Sequence, residues 1–370
     1  MPKLLSLSGL MEQAGRIPSL DGLRAISIAL VLLAHLSGTR NFFPVTLLSY
    51  VGDIGNLGVR IFFVISGFLI TTLLLAEVKK TGGVSLPWFY FRRTLRIFPA
   101  AYFFSTVMVI LSLWGIVTLN PGDTLHSFTY TMNFHLNRSW YAGHLWSLSV
   151  EEQFYLLWPA AIAFLGPGRS MWVAAATFFA APIFRTITWF FLPAYHDYIP
   201  TAFPTIADPL AIGCLLACMR GRLEKNSAYL RFLESGWIVL APVGALVINA
   251  AMTGRPRVSF IVGQTLVNLA IALCIHRAVL IPADWAGKIL NAKPLQIIGV
   301  LSYSIYLWQQ MFINRESNSL WTSFPINLIC VAIASLASYL LVEHPCLELR
   351  KRLEKKLKAR SAVEPLHAGG

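Results

Sequence analysis

Long apolar stretches recur along the whole 370-residue chain. Most approach the roughly 17–25 residues that an α-helix needs to cross the hydrocarbon core of a bilayer. Because backbone polar groups find no water there, only helices and closed barrels span it. The sequence therefore predicts an all-α, polytopic membrane helix bundle of about ten transmembrane helices, near residues 20–38, 59–76, 95–118, 146–165, 171–192, 205–219, 236–252, 259–281, 298–313 and 324–342.

The composition supports this fold class. Hydrophobic residues make up 56% of the chain and charged residues 13%, about half of the roughly 25% charged share of soluble domains. These values exclude a water-soluble enzyme, a disordered chain and a disulfide-stapled secreted domain. We expect three regions: an N-terminal segment over residues 1–19, a membrane domain over 20–345, and a basic tail over 346–370 that lies on the membrane surface or in solvent.

The net charge of +13 arises from basic residues in the loops between the apolar stretches. With the N-terminus inside, about 22 lysines and arginines fall on the cytoplasmic side and 6 on the far side. Positive charge of this kind accumulates in cytoplasmic loops, so we predict that both termini are cytoplasmic. The excess charge is thus a topology signal, and we expect no nucleic-acid partner.

Two ionisable residues lie within the first apolar stretch, Arg24 and His35. Each costs on the order of 2.5–3.5 kcal/mol in a membrane and therefore needs a partner or a function. Their spacing of eleven residues puts both on one helix face, separated by a rise of about 16 Å. Asp21 lies one turn before Arg24 and could pair with it. Taken singly, Arg24 fits an interface arginine and His35 an interhelical hydrogen-bond donor, but their shared face favours a functional site.

Three arginines, Arg92, Arg93 and Arg96, stand at the cytoplasmic mouth of the third stretch. Spacings of three and four residues bring side chains together on a helix. Guanidinium groups bind phosphate oxygens through paired hydrogen bonds. The cluster therefore predicts a phosphate-bearing ligand, with ordinary topological anchoring as the alternative.

Carboxylates occur inside two further stretches. Glu151 or Glu152 could neutralise an arginine or orient a histidine, whereas a glutamate near a helix N-terminus also complements the helix dipole. Asp208 also lies within a stretch, where it could have a function or form a salt bridge with Arg185 of the neighbouring stretch. We see no metal-ligand spacing and expect no metal site, and we interpret the five cysteines as small core residues.

These segments together resemble the acyltransferase 3 family of bacterial integral-membrane O-acyltransferases. The resemblance extends from Ile17 to about Arg352. The segments that carry it, in order, are IPSLDGLRAISIALVLLAHL, FFVISGFLIT, FRRTLRIFPA, HLWSLSVEEQFYLLWP, LSYSIYLW and EHP.

The resemblance implies an O-acyltransferase of the bacterial inner membrane. The donor would be a cytoplasmic acyl-CoA, normally acetyl-CoA, and the acceptor a hydroxyl on a surface polysaccharide or glycolipid. The family pattern makes Arg24 and His35 essential and adds a glutamate, Glu151 or Glu152. Its Arg-x-x-Arg motif falls on Arg93 and Arg96, which with Arg92 would bind the CoA phosphates.

His35 is the only histidine that we place well inside a span, and it would act as general base or as acyl relay. The sequence departs from the family at two positions. Family members often have a histidine after SYSIYLW, where this chain has Gln309. Glutamine can hydrogen-bond but cannot shuttle a proton, which excludes a second catalytic histidine there. Ile206 stands where an arginine often precedes the aspartate, so a functional role does not carry over to Asp208.

Two other functions are compatible with these residues. The first is a transporter or flippase of a lipid-linked or acylated saccharide, since transporters also bury charges near the membrane centre. The second is a membrane scaffold without catalysis, in which Arg24 and His35 would matter for folding alone.

Overall fold

The computed structural model describes residues 17–42 and 52–363, with side chains as far as residue 355. Most of the predicted N-terminal segment 1–19 and residues 364–370 of the predicted tail lie outside these ranges. The described residues form helices joined by turns, and no strand occurs among them. The predicted all-α fold class is confirmed.

The helices range from single turns to one of 47 residues. In chain order they are α1 (Pro18–Leu36), α2 (Ile54–Thr81), α3 (Leu86–Leu113), α4 (Asp123–Thr129), α5 (Trp140–Gly143), α6 (Leu145–Phe191), α7 (Phe203–Ile206), α8 (Asp208–Leu223), α9 (Ser227–Glu234), α10 (Leu240–Ala251), α11 (Pro256–Val258), α12 (Gln264–Leu280), α13 (Trp285–Leu290), α14 (Lys293–Phe312), α15 (Ile326–Ser338) and α16 (His344–Val363). Two π-helical turns, Ser259–Gly263 and Tyr339–Glu343, lead into α12 and α16.

All ten predicted apolar stretches lie largely on helices. Within the described residues, six helical segments are long and apolar enough to cross a membrane, or seven if the bent pair Ser227–Glu234 and Gly236–Ala251 forms one span. Two predicted stretches, 146–165 and 171–192, fall on α6 alone. This helix breaks at Gly166, whose φ of 76° and ψ of 165° are not helical. Because Gly166 is followed by Pro167, the sequence itself marks the break.

Helices α1 and α2 lie at the centre of the bundle, because both contribute to its two largest apolar clusters. Ile28 of α1 and Phe63 of α2 belong to one cluster, and Leu23 and Val64 belong to the other. Helix α1 packs against α2 on one side and α14 on another. Polar side chains on α1 therefore face protein along much of its length.

Helices α2 and α8 approach closely at two glycines. A Cβ atom on Gly67 would clash with the carbonyl oxygen of Leu210, and one on Gly213 would clash with that of Val64. Small residues allow membrane helices to pack backbone against backbone, which supplies van der Waals contact where lipid provides no hydrophobic driving force. The two glycines thus fix the distance between these helices.

The segment between α3 and α6 folds across the end of the bundle at which α1 finishes. Its organising residue is Asp123, which is fully buried. The Asp123 carboxylate accepts hydrogen bonds from the backbone N–H groups of Asn120, at 2.8 Å, and Ser139, at 3.1 Å. The Nε2 atom of His135 lies 3.2 Å from the same carboxylate. These contacts hold the segment in place although it has little apolar core of its own.

Enlarging the glycine contact should loosen the bundle. We expect Gly67→Ala to lower the free energy of unfolding by about 1–3 kcal/mol, because overpacking forces the backbones apart. Thermal unfolding of the detergent-solubilised protein measures this. Gly244→Ala on α10 is the matched control, since a Cβ there meets no atom within 4 Å. Equal stability of the two variants would contradict the expected clash.

Candidate active site

A cavity of about 890 Å³ opens at the end of α1. It lies between the C-terminal end of α1, the start of α2, the segment that precedes α6, and the end of α14. We call it the polar cavity, because charged, amide and aromatic side chains line most of it. They include His35, Asp53, Asn56, Arg138, Trp140, Tyr141, His144, Trp146, Tyr306, Gln310, Asn314 and Arg315.

His35 lies in the wall of the polar cavity and is hydrogen-bonded through both ring nitrogens. Its Nδ1 atom is 2.7 Å from Oε1 of Gln309, and its Nε2 atom is 3.4 Å from Nε2 of Gln310. Both glutamines belong to α14 and are buried. The edge of the His35 ring faces Trp140, with 5.6 Å between ring centroids. The imidazole is thus held in one orientation.

The rim of the cavity is joined to α14 through Trp140. The indole N–H donates to the carbonyl oxygens of Gln310 and Ile313, each at 3.0 Å. These carbonyls belong to the last turn of α14 and the residue after it, where a helix leaves acceptors unpaired. Trp140 therefore supplies the donor that they lack.

His35 is not the only histidine in the interior, which corrects the expectation from the sequence. His144, directly before α6, is 3% exposed. Its Nδ1 lies 2.8 Å from Oε1 of Gln310 and its Nε2 lies 3.0 Å from the carbonyl oxygen of Leu307. His276 of α12 is also buried. His144 is thus part of the His35 surroundings, and His276 belongs to another part of the bundle.

The predicted arginines gather near the other end of α1. Arg24 pairs with Asp21 at 3.3 Å, as the spacing predicts, and Arg92 pairs with Glu77 at 3.0 Å. Arg93 and Arg96 form no ion pair within the described part of the chain. The Arg93 guanidinium instead lies over the ring of Tyr155, 3.8 Å from its centroid, where the ring face attracts a cation.

The two glutamates differ in their surroundings. Glu151 accepts a hydrogen bond from Ser66 at 2.5 Å and lies within electrostatic range of Arg24 and Arg93. The Oε1 atom of Glu152 is buried and has no hydrogen-bond partner among the described residues. Glu151 therefore connects to both helices that carry the predicted arginines.

Two charged groups at this end of α1 were not predicted as site residues from the sequence. Arg350 of α16 lies within electrostatic range of Arg92 and Arg93, and its own carboxylate partner, Glu354, is 3.5 Å away. Glu343, in the π-helical turn before α16, is buried and accepts a hydrogen bond from Ser304. The start of the predicted tail thus packs against α3. We call Arg24, Arg92, Arg93, Arg96 and Arg350 the arginine cluster.

The predicted site residues therefore divide between two places. His35 belongs to the polar cavity, whereas Arg24, Arg92, Arg93, Arg96, Glu151 and Glu152 lie in or beside the arginine cluster. No hydrogen bond or ion pair joins His35 to Arg24 or to either glutamate in the described ranges. The rise of about 16 Å along α1 between Arg24 and His35 accounts for this separation.

Asp208 is fully buried and paired with Arg185, which is one of the two alternatives from the sequence. The Asp208 carboxylate accepts from Nη1 and Nη2 of Arg185 at 2.8 and 3.0 Å, from Thr265 at 3.0 Å and from Asn268 at 2.9 Å. The charges of Asp208 and Arg185 are thus paired with each other. This geometry is that of a structural ion pair.

A helical bundle with several membrane-capable helices, a polar cavity and an arginine cluster defines a multi-pass membrane protein with a buried polar site. The chain belongs to the acyltransferase 3 family, because residues 17–343 match the model of that family, described as an acyltransferase domain. The resemblance noted in the sequence is thereby confirmed. No group of three or more metal-ligating side chains occurs in the described residues.

Several curated relatives carry the name O-acetyltransferase. The chain is 29% identical to the peptidoglycan O-acetyltransferase OatA of Listeria monocytogenes over 88% of its length and 54% of the relative. It is 28% identical to the O-acetyltransferase OatA of Staphylococcus aureus, over 89% and 57%. It is 30% identical to the putative peptidoglycan O-acetyltransferase YrhL of Bacillus subtilis, over 89% and 54%. The chain thus spans about half the length of these relatives. No solved structure matches it.

Breaking the Asp208 network should destabilise the protein. We expect Asp208→Ala to cost about 3–5 kcal/mol, because it leaves the Arg185 charge buried without a partner. Membrane abundance and thermal unfolding in detergent report the loss. The double variant Arg185→Met/Asp208→Ala should recover much of it, since both charges are then absent. A single variant as stable as the wild type would contradict the structural role.

Proposed function

We propose that this chain is an inner-membrane O-acetyltransferase that moves an acetyl group from cytoplasmic acetyl-CoA to a hydroxyl of a surface saccharide. The observation that carries the proposal is the oriented His35 in the wall of a polar cavity. Membership of the acyltransferase 3 family supports acyl transfer. The names of the relatives support acetyl as the group and peptidoglycan as the first acceptor to test.

The arginine cluster is the proposed site for the phosphates of the donor. Three of its members form direct ion pairs with carboxylates, whereas Arg93 and Arg96 form none within 4 Å among the described residues. A guanidinium without a direct anionic contact is costly within a membrane bundle, and the oxygens of a phosphate ligand would supply that contact. Arg350 adds a further guanidinium from α16. The Glu151 carboxylate lies within electrostatic range of Arg24 and Arg93.

The polar cavity is the proposed acceptor site. Its volume of about 890 Å³ falls in the range of small-molecule pockets, roughly 300–1,000 Å³. Amide and charged groups such as Gln310, Asn314 and Arg138 can hydrogen-bond sugar hydroxyls, and the ring of Trp140 offers an apolar surface. A sugar unit that enters the cavity brings its hydroxyls beside His35.

The chemistry follows from these positions. His35 accepts the proton of the acceptor hydroxyl while the hydroxyl oxygen attacks the thioester carbonyl carbon. The tetrahedral oxyanion collapses, the carbon–sulfur bond breaks, and the proton returns from the imidazolium to the CoA thiolate. N–H groups of Gln310 and Arg138, which line the same cavity, can stabilise the oxyanion. Acetyl transfer through His35 itself would use the same residue as a relay.

Loss of the base should abolish the reaction. We expect His35→Ala to lower O-acetylation by about 10²-fold or more, the usual worth of general-base catalysis. The measurement is the ester content of extracted surface glycans by mass spectrometry, in a deletion strain complemented with wild type or variant at equal membrane abundance. His196→Ala, whose histidine lies outside the polar cavity, is the control. Full acetylation by His35→Ala would exclude this histidine as the base or relay and would favour the transporter alternative.

The donor site makes a separate prediction. We expect Arg93→Ala to raise the KM for acetyl-CoA severalfold to about 10²-fold with a smaller change in kcat, because a charge-assisted contact to phosphate is lost. Initial rates over a range of acetyl-CoA concentrations measure this. Arg169→Ala, at an exposed arginine beside the α6 break, should leave KM unchanged. Equal KM values for the Arg93 variant and the wild type would contradict phosphate binding by Arg93 and would favour topological anchoring as its role.

A further inference from the structure

The proton positions around His35 follow from one donor, the backbone N–H of His144. This N–H lies 3.2 Å from a side-chain amide atom of Gln310. Because a backbone N–H can only donate, that atom must be the carbonyl oxygen Oε1. The orientation of a glutamine amide normally has to be assigned from its network, and here the His144 backbone determines it. The amide nitrogen of Gln310 therefore faces His35.

The orientation of the Gln310 amide determines the tautomer of His35. Nε2 of Gln310 lies 3.4 Å from Nε2 of His35. An amide nitrogen donates and does not accept, so the imidazole Nε2 presents its lone pair. A neutral imidazole with a free Nε2 carries its hydrogen on Nδ1. That hydrogen points to the Gln309 amide, 2.7 Å from Nδ1, which accepts through Oε1.

Within the described ranges, the Gln309 side chain makes one hydrogen bond, and its partner is His35. Its other end, Nε2, is buried and has no hydrogen-bond partner among the described residues. A buried donor without a partner costs about 1–3 kcal/mol. The contribution of this side chain is therefore its amide oxygen, which accepts the hydrogen bond from the His35 imidazole.

We infer that Gln309 and Gln310 are positioning residues that hold His35 in the Nδ1-protonated tautomer, so that Nε2 is the atom that accepts the proton of the acceptor hydroxyl. The inference rests on the proposed function, in which His35 is the base. During the reaction the proton passes from the hydroxyl oxygen to Nε2, while Nδ1 keeps its hydrogen and its bond to Gln309. The long contact with Gln310 gives way to the hydroxyl.

The inability of glutamine to take up a proton is therefore useful at position 309. A residue that accepts a hydrogen bond without binding the proton cannot exchange the two tautomers of His35. Other charged or titratable groups face His35 as well: Arg315, which donates to its carbonyl oxygen, Asp53 at the start of α2, His144 before α6, and Arg138 across the cavity. The substitutions below leave all of these in place.

Two variants at one position test the inference. We expect Gln309→Leu to lower kcat by about 10²-fold or more at unchanged KM for acetyl-CoA, since the wrong tautomer presents an N–H instead of a base. Gln309→Glu keeps the acceptor and loses only the unpartnered NH₂ group, so kcat should stay within about tenfold of wild type. Its carboxylate stabilises the imidazolium. The acidic limb of the pH–rate profile should therefore move to higher pH.

The rates are measured with the full chain in proteoliposomes, acetyl-CoA, and the saccharide fraction that wild type acetylates. Gln296→Leu and Gln296→Glu, near the opposite end of α14, are the controls. They show whether introducing leucine or glutamate into this helix changes the kinetics by itself. Equal losses in both Gln309 variants with an unshifted pH profile would assign Gln309 a structural role and overturn the inference. Wild-type kinetics in Gln309→Leu would overturn it as well. An active His35→Ala protein would instead overturn the proposed function.

Discussion

A polar side chain inside a membrane bundle must find its partner within the protein, because lipid offers none. The structure meets this constraint in three ways. Asp208 and Arg185 neutralise each other, and Asp123 takes up backbone N–H groups of the segment that crosses the bundle end. The His35 imidazole is held between two glutamines. In the arginine cluster this pairing is incomplete, since Arg93 and Arg96 form no direct ion pair within the described residues.

Helix α1 connects the two places between which the predicted site residues are divided, the polar cavity and the arginine cluster. α1 carries Arg24 near one end and His35 near the other, and it packs against α2 and α14 between them. A donor bound at the arginines and an acceptor bound in the polar cavity would therefore meet along one helix. The close backbone contacts at glycines, such as Gly299 of α14 against Asp21 of α1, keep that helix at a fixed depth.

Features that depend on local spacing were predictable from the sequence. The helices, the Arg24–Asp21 pair and the Asp208–Arg185 pair follow from apolar length, from helical periodicity and from the cost of an unpaired charge in lipid. The contact between Gln310 and His144 could not be predicted from the sequence, because it joins residues 166 positions apart through packing alone. Arg350 was missed for a similar reason, since nothing in a basic tail indicates that its first turns return to α3. The number of membrane crossings does not follow from apolar stretches alone, because two of them lie on one helix that breaks at Gly166.

Trp140 has a consequence for how the cavity selects its contents. Its indole both faces His35 and caps the last carbonyls of α14. Swinging the ring aside would leave two buried acceptors unsatisfied, at about 1–3 kcal/mol each. The wall beside His35 is therefore stiff, and a ligand has to fit the space as it stands. Such a cavity discriminates between ligands by their shape, and it excludes a ligand with one substituent too many.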